Sequence, residues 1–260
     1  MLKALFPVPV QTDWTYAQGQ FEVRRQPIAV DPAEPARQLG PDEEYPAPTQ
    51  PQRAFVDVND GQCGLAVLNR GLTEFEARPA GQNTTIALTL IRSVGWLSRP
   101  DLSTRFGNAG PSLPTPGAQC KGRQVCEYAI VPHAYDWEMA AVHQEAECYI
   151  APLIAFAAPV QTGHWPARIS FVRVEPAELV LSAFKLAESD DAIVLRFYNV
   201  SHRAINGELR FGFPVKAVRR ANLAEVPIGE PLPISDDHSL RLEVGGNEIV
   251  TLLVGRSFRH

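Results

Sequence analysis

The segment from Arg99 to Gln119 carries the residue types best suited to bind a polar ligand. Its side chains that can hydrogen-bond hydroxyl groups are Arg99, Asp101, Arg105 and Asn108, and Trp96 stands just before it as an aromatic surface. The prolines and glycines of this segment exclude a helix and make a poor strand. Loops longer than about 12–15 residues are uncommon inside compact domains and are often functional. The alternative is that Arg99 and Arg105 only tie the loop down by bonding its own carbonyl groups.

A second group of polar residues has types that bind metals, but not the spacing. The group consists of His133, Asp136, His143 and Cys148. His143 and Cys148 would lie on different faces of a helix, and the pattern His-Glu-x-x-His is absent. Cys120 and Cys126 are also spaced too widely for a zinc knuckle. We therefore expect ordinary core or capping roles for His133 and Cys148, and no metal site.

The sequence lacks the common catalytic signatures: a phosphate-binding loop, a strand-borne Gly-x-Gly-x-x-Gly and a Gly-x-Ser-x-Gly turn. Neighbouring carboxylates occur at Glu43-Glu44, Asp190-Asp191 and Asp236-Asp237. Neighbours on a strand point to opposite faces, and these pairs lie among turn-forming residues, so we interpret them as solvated turns. A glycosidase needs two carboxyl groups that face each other about 5–10 Å apart. We assign no catalytic residue to this chain.

Short strands dominate the pattern that must position these residues. Asn59-Asp60-Gly61 and Asn69-Arg70-Gly71 predict tight turns between consecutive antiparallel strands. One helix is predicted, with Asp136 as its N-cap and its end near residue 149. We predict an all-β protein. A large antiparallel β-sandwich (a supersandwich) with one short helix would span residues 1–172, and a smaller β-sandwich would span residues 173–260.

Composition excludes several classes of partner. The net charge of −5 gives no basic surface for nucleic acid. No apolar run reaches the roughly 18 residues that a membrane-spanning helix needs. The 4 cysteines are too few for a disulfide scaffold, which favours the cytoplasm. Proline is abundant, with 23 residues, and the stretch from Pro27 to Gln52 is expected to run over the surface or to lie as an arm against a sheet.

Several collinear stretches resemble the C-terminal half of glycoside hydrolase family 38 α-mannosidases, particularly the bacterial ones. The longest is LTLIRSVGWLSRPDLSTRFGNAGPSLPTPGAQCKG, followed by EYAIVPHAYDW. Three others agree in order: LKALFPVPV, GLAVLNRGLTEFEA and LVLSAFKLAESDDAIVLRFYN. The resemblance therefore extends over nearly the whole chain.

The resemblance implies that this chain is an accessory region. In that family a catalytic barrel, which binds zinc and supplies an Asp nucleophile for a retaining mechanism, precedes a helical bundle and several β-sandwich domains. Nothing in this sequence matches the metal-binding His-x-Asp motif or the nucleophile segment. We therefore expect a fragment that lacks its catalytic barrel and helical bundle, holds no cofactor itself and is inactive alone. Zinc is expected in the absent catalytic domain.

The resemblance also directs attention to the loop. In eukaryotic members an Arg-rich segment after an apolar strand reaches the sugar. The corresponding stretch here runs from Arg92 through Arg105, and position and chemistry, without residue-by-residue matching, make the following residues candidates for contact with an α-mannoside: Arg92, Arg99, Asp101 and Arg105. Without the barrel, an apolar face of the sandwich would be uncovered. We therefore expect the chain to self-associate, with the arm Pro27–Gln52 or the edge Leu2–Val10 near the contact. Two other functions remain open, a free-standing carbohydrate-binding module and a purely structural interaction domain.

Overall fold

A computed structural model describes most of the chain. The described residues are 1–28, 44–45, 47–102, 104–160, 162–163, 166–188 and 191–256. The chain divides into two compact units, of which the first contains Met1–Gln20 and Arg24–Pro152, and the second contains Phe21–Val23 and Leu153–His260. Most of the predicted arm Pro27–Gln52 lies outside the described residues.

Eleven strands and one helix are described in the first unit and at its border. In chain order the strands are β1 (Leu2–Val8), β2 (Trp14–Gln18), β3 (Val23–Pro27), β4 (Thr49–Pro51), β5 (Phe55–Asn59), β6 (Cys63–Arg70), β7 (Glu74–Ala80), β8 (Asn83–Ile91), β9 (Asp101–Leu102), β10 (Arg105–Phe106) and β11 (Glu127–Ala134). They form a four-stranded sheet in the order β1-β8-β7-β4, a five-stranded sheet in the order β11-β6-β5-β2-β3, and the small β9-β10 pair. The described strand pairings are antiparallel.

The two larger sheets of this unit share one apolar core. Alternate residues of facing strands supply it, among them Val58, Val67, Phe75, Ile86 and Leu88, each at most 1% exposed. Alternation with a period of two sends every second side chain of a strand to the same face. Full burial of side chains of this size stabilises the fold by about 1.5–3 kcal/mol each.

The two predicted turns make different connections: one joins neighbouring strands of one sheet, and the other crosses to the second sheet. Between β5 and β6, Gly61 adopts a φ of +84°, and Asp60 Oδ1 accepts hydrogen bonds from the backbone N–H groups of Gln62 and Cys63, which makes the predicted hairpin. After β6 the prediction of a paired neighbour was wrong, because β7 joins the other sheet. Asn69 directs this crossing, since its buried side chain accepts a hydrogen bond from Leu72 N at 2.8 Å.

The helix begins later than predicted. Helix α1 spans Val142–Ile150, whereas residues 137–141 form turns. Asp136 Oδ1 does accept a hydrogen bond from Met139 N at 2.8 Å, but it caps a turn and not the helix. The backbone of Ala141 enters the left-handed region with a φ of +52°, so the turn and the helix cannot join into one regular element.

The second unit is a smaller sandwich. Its strands are β12 (Val172–Glu175), β13 (Leu179–Leu186), β14 (Ala192–Asn199), β15 (Ile205–Phe211), β16 (Val215–Ala221), β17 (Pro227–Leu232), β18 (Ser239–Val244) and β19 (Ile249–Arg256). A three-stranded sheet in the order β12-β15-β18 and a five-stranded sheet in the order β13-β14-β19-β16-β17 share a core that includes Leu195, Phe197, Leu209, Leu240 and Leu252.

The predicted fold class is confirmed: an all-β chain with two antiparallel sandwiches and one short α-helix among the described residues. The contact-based division falls between Pro152 and Leu153, whereas the predicted boundary at 172/173 falls after the first residue of β12. The described residues between these two positions form no helix or strand. No helix among the residues described is long and apolar enough to cross a membrane.

Candidate functional site

The long loop between β8 and β11 folds back on itself. Leu97 N donates to Leu113 O, and Thr115 N donates to Gly95 O, each at 2.9 Å. Ser98, which is buried at its centre, accepts a hydrogen bond from Ala109 N at 3.1 Å. The loop therefore has a fixed shape that backbone hydrogen bonds maintain, although its sequence favours neither helix nor sheet.

Arg99 and Asp101 contact each other directly. Arg99 Nε donates to Asp101 Oδ1 at 2.8 Å, and a second, short hydrogen bond joins Arg99 Nη2 to Asp101 Oδ2. The hydrogen bonds from Arg99 lower the pKa of the Asp101 carboxyl, so the pair stays ionised at neutral pH. Both side chains are more than half exposed, so the pair shapes the loop locally and adds little to global stability.

Arg105 connects the loop to another part of the chain. Its Nη1 atom donates to Glu44 Oε1 at 2.8 Å, and Tyr45 N donates to Thr104 O at 2.8 Å beside it. The Arg105 side chain is only 18% exposed, and its Nε is buried without a hydrogen-bond partner among the residues described. The alternative in which Arg105 bonds carbonyl groups of its own loop is therefore not supported, because a carboxylate of a distant segment holds it.

Arg92 lies apart from these pairs, directly after β8. It lines a shallow groove of about 220 Å³ whose other walls are Gly71, Leu72, Thr73, Glu74, Thr89 and Leu90. Thr89 Oγ1 donates to Glu74 Oε1 at 2.9 Å. Arg92 is exposed and makes no ion pair with any described carboxylate. Of the predicted contact residues, Arg92 is thus the one whose guanidinium has no such carboxylate beside it.

Sequence analysis missed Glu74 and Thr89 as parts of this groove. A signal for them was present, because β7 and β8 form a hairpin in which Ala80 pairs with Asn83 and Phe75 pairs with Leu88. Counting outward from that turn puts Glu74 opposite Thr89. Glu44, in contrast, could not have been found, because nothing local in the sequence connects it to a loop about sixty residues away.

A second polar cluster surrounds His133 on β11. His133 Nε2 lies 2.6 Å from Asp57 Oδ2, and Asn59 Nδ2 donates to Asp57 Oδ1 at 2.6 Å. Burial raises the pKa of the Asp57 carboxyl, and the hydrogen bond to His133 opposes this increase. Burial lowers the pKa of His133, but the hydrogen bond and charge of Asp57 outweigh it, so the pKa of His133 is raised.

The residues weighed as metal ligands do not converge. His133 is held by Asp57, His143 is buried, and Cys148 is exposed. The predicted capping or core role is therefore supported for His133, whereas a core role for Cys148 was wrong because helix α1 turns that residue toward solvent. Within the described ranges, no three His, Cys, Asp or Glu side chains are grouped so that they could hold a metal ion. The described residues therefore do not fit a zinc site.

The predicted carboxylate pairs are only partly visible. Glu43 and Asp190 lie outside the described residues. Asp237 Oδ1 accepts a hydrogen bond from Ser239 Oγ at 2.8 Å within a turn, which agrees with the interpretation of that pair as a turn.

Comparison with known proteins finds similarity to one family. Residues 178–252 match the model of the glycosyl hydrolases family 38 C-terminal beta sandwich domain. A protein of Halalkalibacterium halodurans named "Putative mannosylglycerate hydrolase" is 28% identical over 203 residues, which cover 76% of this chain and 20% of that protein. "Alpha-mannosidase 2C1" of Homo sapiens is 26% identical over 205 residues, which cover 77% of this chain and 17% of that protein.

Two solved structures from Enterococcus faecalis share the fold of nearly the whole chain. A protein of glycosyl hydrolase family 38 superposes with a TM-score of 0.72 at 25% identity, and an alpha-mannosidase of strain V583 superposes with a TM-score of 0.73 at 26% identity. Each match covers 98% of this chain, but only 26% and 25% of the respective neighbour. The chain thus spans about a fifth of the two named relatives and a quarter of these structures.

Proposed function

We propose that this chain, which resembles the C-terminal β region of glycoside hydrolase family 38 both in sequence and in fold, is the accessory β region of a retaining α-mannosidase. One observation carries the proposal: the relatives and solved structures match about three quarters or more of this chain, whereas the chain matches only a minor part of each of them. The remaining part of such a relative is long enough to contain the catalytic machinery. Whether that part lies on the same polypeptide or on another is open to experiment.

The chemistry would come from the catalytic part. Retaining hydrolysis requires a nucleophile and an acid/base carboxyl about 5–5.5 Å apart, and we assign neither to this chain. The zinc ion that the family resemblance implies would also be held there, because the described residues of this chain do not fit a metal site. In the isolated chain no cofactor is expected.

Within this proposal the loop after β8 forms part of the wall of the sugar site. The carboxylates of Asp101 and Glu44 already engage Arg99 and Arg105, so these two arginines would fix the shape of the loop. Arg92 is exposed, pairs with no described carboxylate, and lines the groove that Thr89 and Glu74 also line. We therefore propose Arg92 as the foremost substrate contact, and Arg99, Asp101 and Arg105 as residues that hold the shape of the loop.

A free-standing carbohydrate-binding module is the second candidate. Trp96 is 46% exposed at the start of the same loop and could act as an aromatic platform for a sugar ring. The third possibility, a purely structural domain, would use neither the groove nor this ring.

We further propose a cytoplasmic location, which is supported by the four cysteines that are free in the structure, and self-association of the isolated chain.

Assays of the purified chain separate these functions. We expect no hydrolysis of 4-nitrophenyl α-mannoside above buffer, with or without added zinc, and no saturable binding of mannose or α-mannobiosides by calorimetry. Saturable binding that Trp96→Ala abolishes would identify a carbohydrate-binding module instead. Turnover by the chain alone would contradict the accessory role, because it would mean that a catalytic pair is present.

A further inference from the structure

The open edges of the described sheets are mostly protected against pairing with other strands. Short length, proline, arginine and bulges are the usual means of protection. In this chain β4 has three residues and ends in Pro51, β3 carries Arg24 and Arg25, β17 contains Pro227 and Pro231, and β13 has a bulge between Leu181 and Ala183. The edge strand β1 has a register shift at Leu2/Lys3 and a proline at position 7.

The edge strand β11 differs from these. It pairs with β6 over eight residues, from Glu127 opposite Arg70 to Ala134 opposite Cys63, without a register shift. Between Tyr128 and Val131 it contains neither a charged residue nor a proline. Glu127, the one acidic residue of the strand, is paired with Arg70 at 3.3 Å, and His133 is paired with the buried Asp57. Nothing in the side chains of β11 therefore opposes a further strand.

The backbone groups that β11 presents to the open side follow from the hydrogen bonds around it. Tyr135 N donates to Gln62 O, so odd-numbered residues of this strand face β6. Asn69 N donates to Ala54 O, which shows independently that the odd-numbered residues of β6 face β5 and the even-numbered ones face β11. The N–H and C=O groups of Tyr128 and Ile130 consequently point outward. Pro132, which has no N–H, occupies an outward position where it removes no hydrogen bond from the sheet.

The side chains of the same residues make this edge apolar. Tyr128 and Ile130 pair with Asn69 and Val67, and Val67 belongs to the core, so both side chains lie on the core face of the sheet. They are nevertheless 41% and 55% exposed. The ring of Phe6, on the edge strand of the facing sheet, contacts Tyr128 with centroids 5.5 Å apart. The sandwich is thus open along this side, between β1 and β11.

We propose that β11 is a dimerisation edge, which pairs antiparallel with β11 of a second copy around a two-fold axis at Ile130. This inference names the surface for the self-association included in the proposed function. The outward N–H and C=O groups require an extended strand as occupant, and the second copy offers a strand of equal length that brings no like charges together. Ile130 would face its symmetry mate, and Tyr128 would face the partner's Pro132.

The size of this contact predicts a weak dimer. Stable specific interfaces bury about 1,200–2,000 Å² in total, and a ladder centred on a few outward residues is smaller than that. The two missing N–H groups of Pro132 and its symmetry mate reduce the ladder further. We therefore expect a reversible monomer–dimer equilibrium with a Kd in the range of about 1–100 μM.

Sedimentation velocity of the 260-residue chain over about 1–500 μM tests the inference. The wild-type chain should convert from monomer to dimer. Ile130→Lys, which places a charge on the core side of the edge, should raise the Kd at least tenfold. Ile130→Pro should do the same, because it removes the outward N–H without taking a hydrogen bond from β6. Ile228→Lys is the matched control, since Ile228 is 54% exposed on another edge strand, and it should leave the Kd unchanged.

Three results would overturn the inference: a monomer at every concentration, a dimer that both Ile130 variants leave intact, or equal weakening by Ile228→Lys. Thermal unfolding of each variant shows whether it is folded. The two Ile130 variants weaken the dimer for different physical reasons, an added charge in one and a lost N–H group in the other. This outcome is independent of the accessory role, because that role is judged by catalysis in an assembled enzyme and not by the mass of the isolated chain.

Discussion

At the scale of single residues, the buried pair of His133 and Asp57 is the most sensitive point of the first unit. Asp57 is fully buried, and the His133 side chain is 5% exposed. Removal of one partner of a buried pair leaves the other charge without compensation, which usually costs about 3–5 kcal/mol. The carboxylate of Asp136 also acts on Asp57 by raising its pKa. The free energy of unfolding therefore depends on whether His133 is protonated.

This pair predicts a pH dependence of stability. The pKa of His133 is raised in the folded chain, so its contribution is complete below the ordinary value of 6.5 and is lost as the pH rises through the folded pKa. The raised pKa of Asp57 acts in the same direction at lower pH. In chemical denaturation followed by tryptophan fluorescence, the free energy of unfolding should fall as the pH increases above 6.5.

His133→Ala tests the assignment. The variant should unfold about 3–5 kcal/mol more easily at pH 6, and it should lose the slope above pH 6.5. The exposed His202, which contacts Asn247 at 2.8 Å, provides the control His202→Ala, which should keep the wild-type slope. An unchanged slope in His133→Ala would mean that another group carries the pH dependence.

At the scale of elements, a long-range side-chain contact adds to the backbone hydrogen bonds that shape the loop after β8. Arg105 joins it to Glu44, whereas Arg99 only joins it to Asp101 two positions on. Arg105→Ala should therefore increase amide hydrogen exchange of residues 93–119 several-fold, with at most about 1 kcal/mol lost from global stability because Glu44 is largely exposed. Arg99→Ala, the matched control, should affect only its immediate neighbours. If amide hydrogen exchange of the loop were equally slow in both variants, the backbone hydrogen bonds alone would explain why the loop is ordered.

The elements themselves could be predicted where the pattern is local. The turn at Gly61 and the apolar stripe of Ile86, Leu88 and Leu90 on β8 are visible in the sequence, and the structure places that stripe in the core. Strand β17 is not evident from the sequence, because it contains two prolines, which an edge strand tolerates and a central strand does not. The late start of helix α1 could not be foreseen either, since it depends on the left-handed backbone of Ala141, a residue that rarely adopts it.

The site was predictable only in part, for a similar reason. The resemblance and the residue types pointed to the loop, but the partners of its arginines come from different distances along the chain. Asp101 is two residues from Arg99, whereas Glu44 is about sixty residues from Arg105. Pairing across such distances depends on the packed fold, and neither composition nor periodicity contains it. Arg92 differs from Arg99 and Arg105 in having no carboxylate partner among the described residues, and only the structure shows this difference.

At the scale of the whole molecule, the account rests on the relation between this chain and its relatives. The chain matches about a quarter of the alpha-mannosidase from Enterococcus faecalis V583 and shares its fold there. If this chain is an accessory β region, it should be able to replace that quarter. If this chain shared only the backbone fold of that quarter, the rest of the Enterococcus faecalis enzyme would not be active with it.

The most direct test is therefore a chimera in which this chain replaces the matching region of that enzyme, assayed with 4-nitrophenyl α-mannoside. The chimera should be clearly more active than the enzyme truncated before this region. Arg92→Ala in the chimera should lower kcat/KM about 10- to 100-fold, as expected for one hydrogen bond to a charged group, whereas Arg219→Ala, at an exposed position of the second unit, should have no effect. A folded chimera no more active than the truncated enzyme would contradict the account.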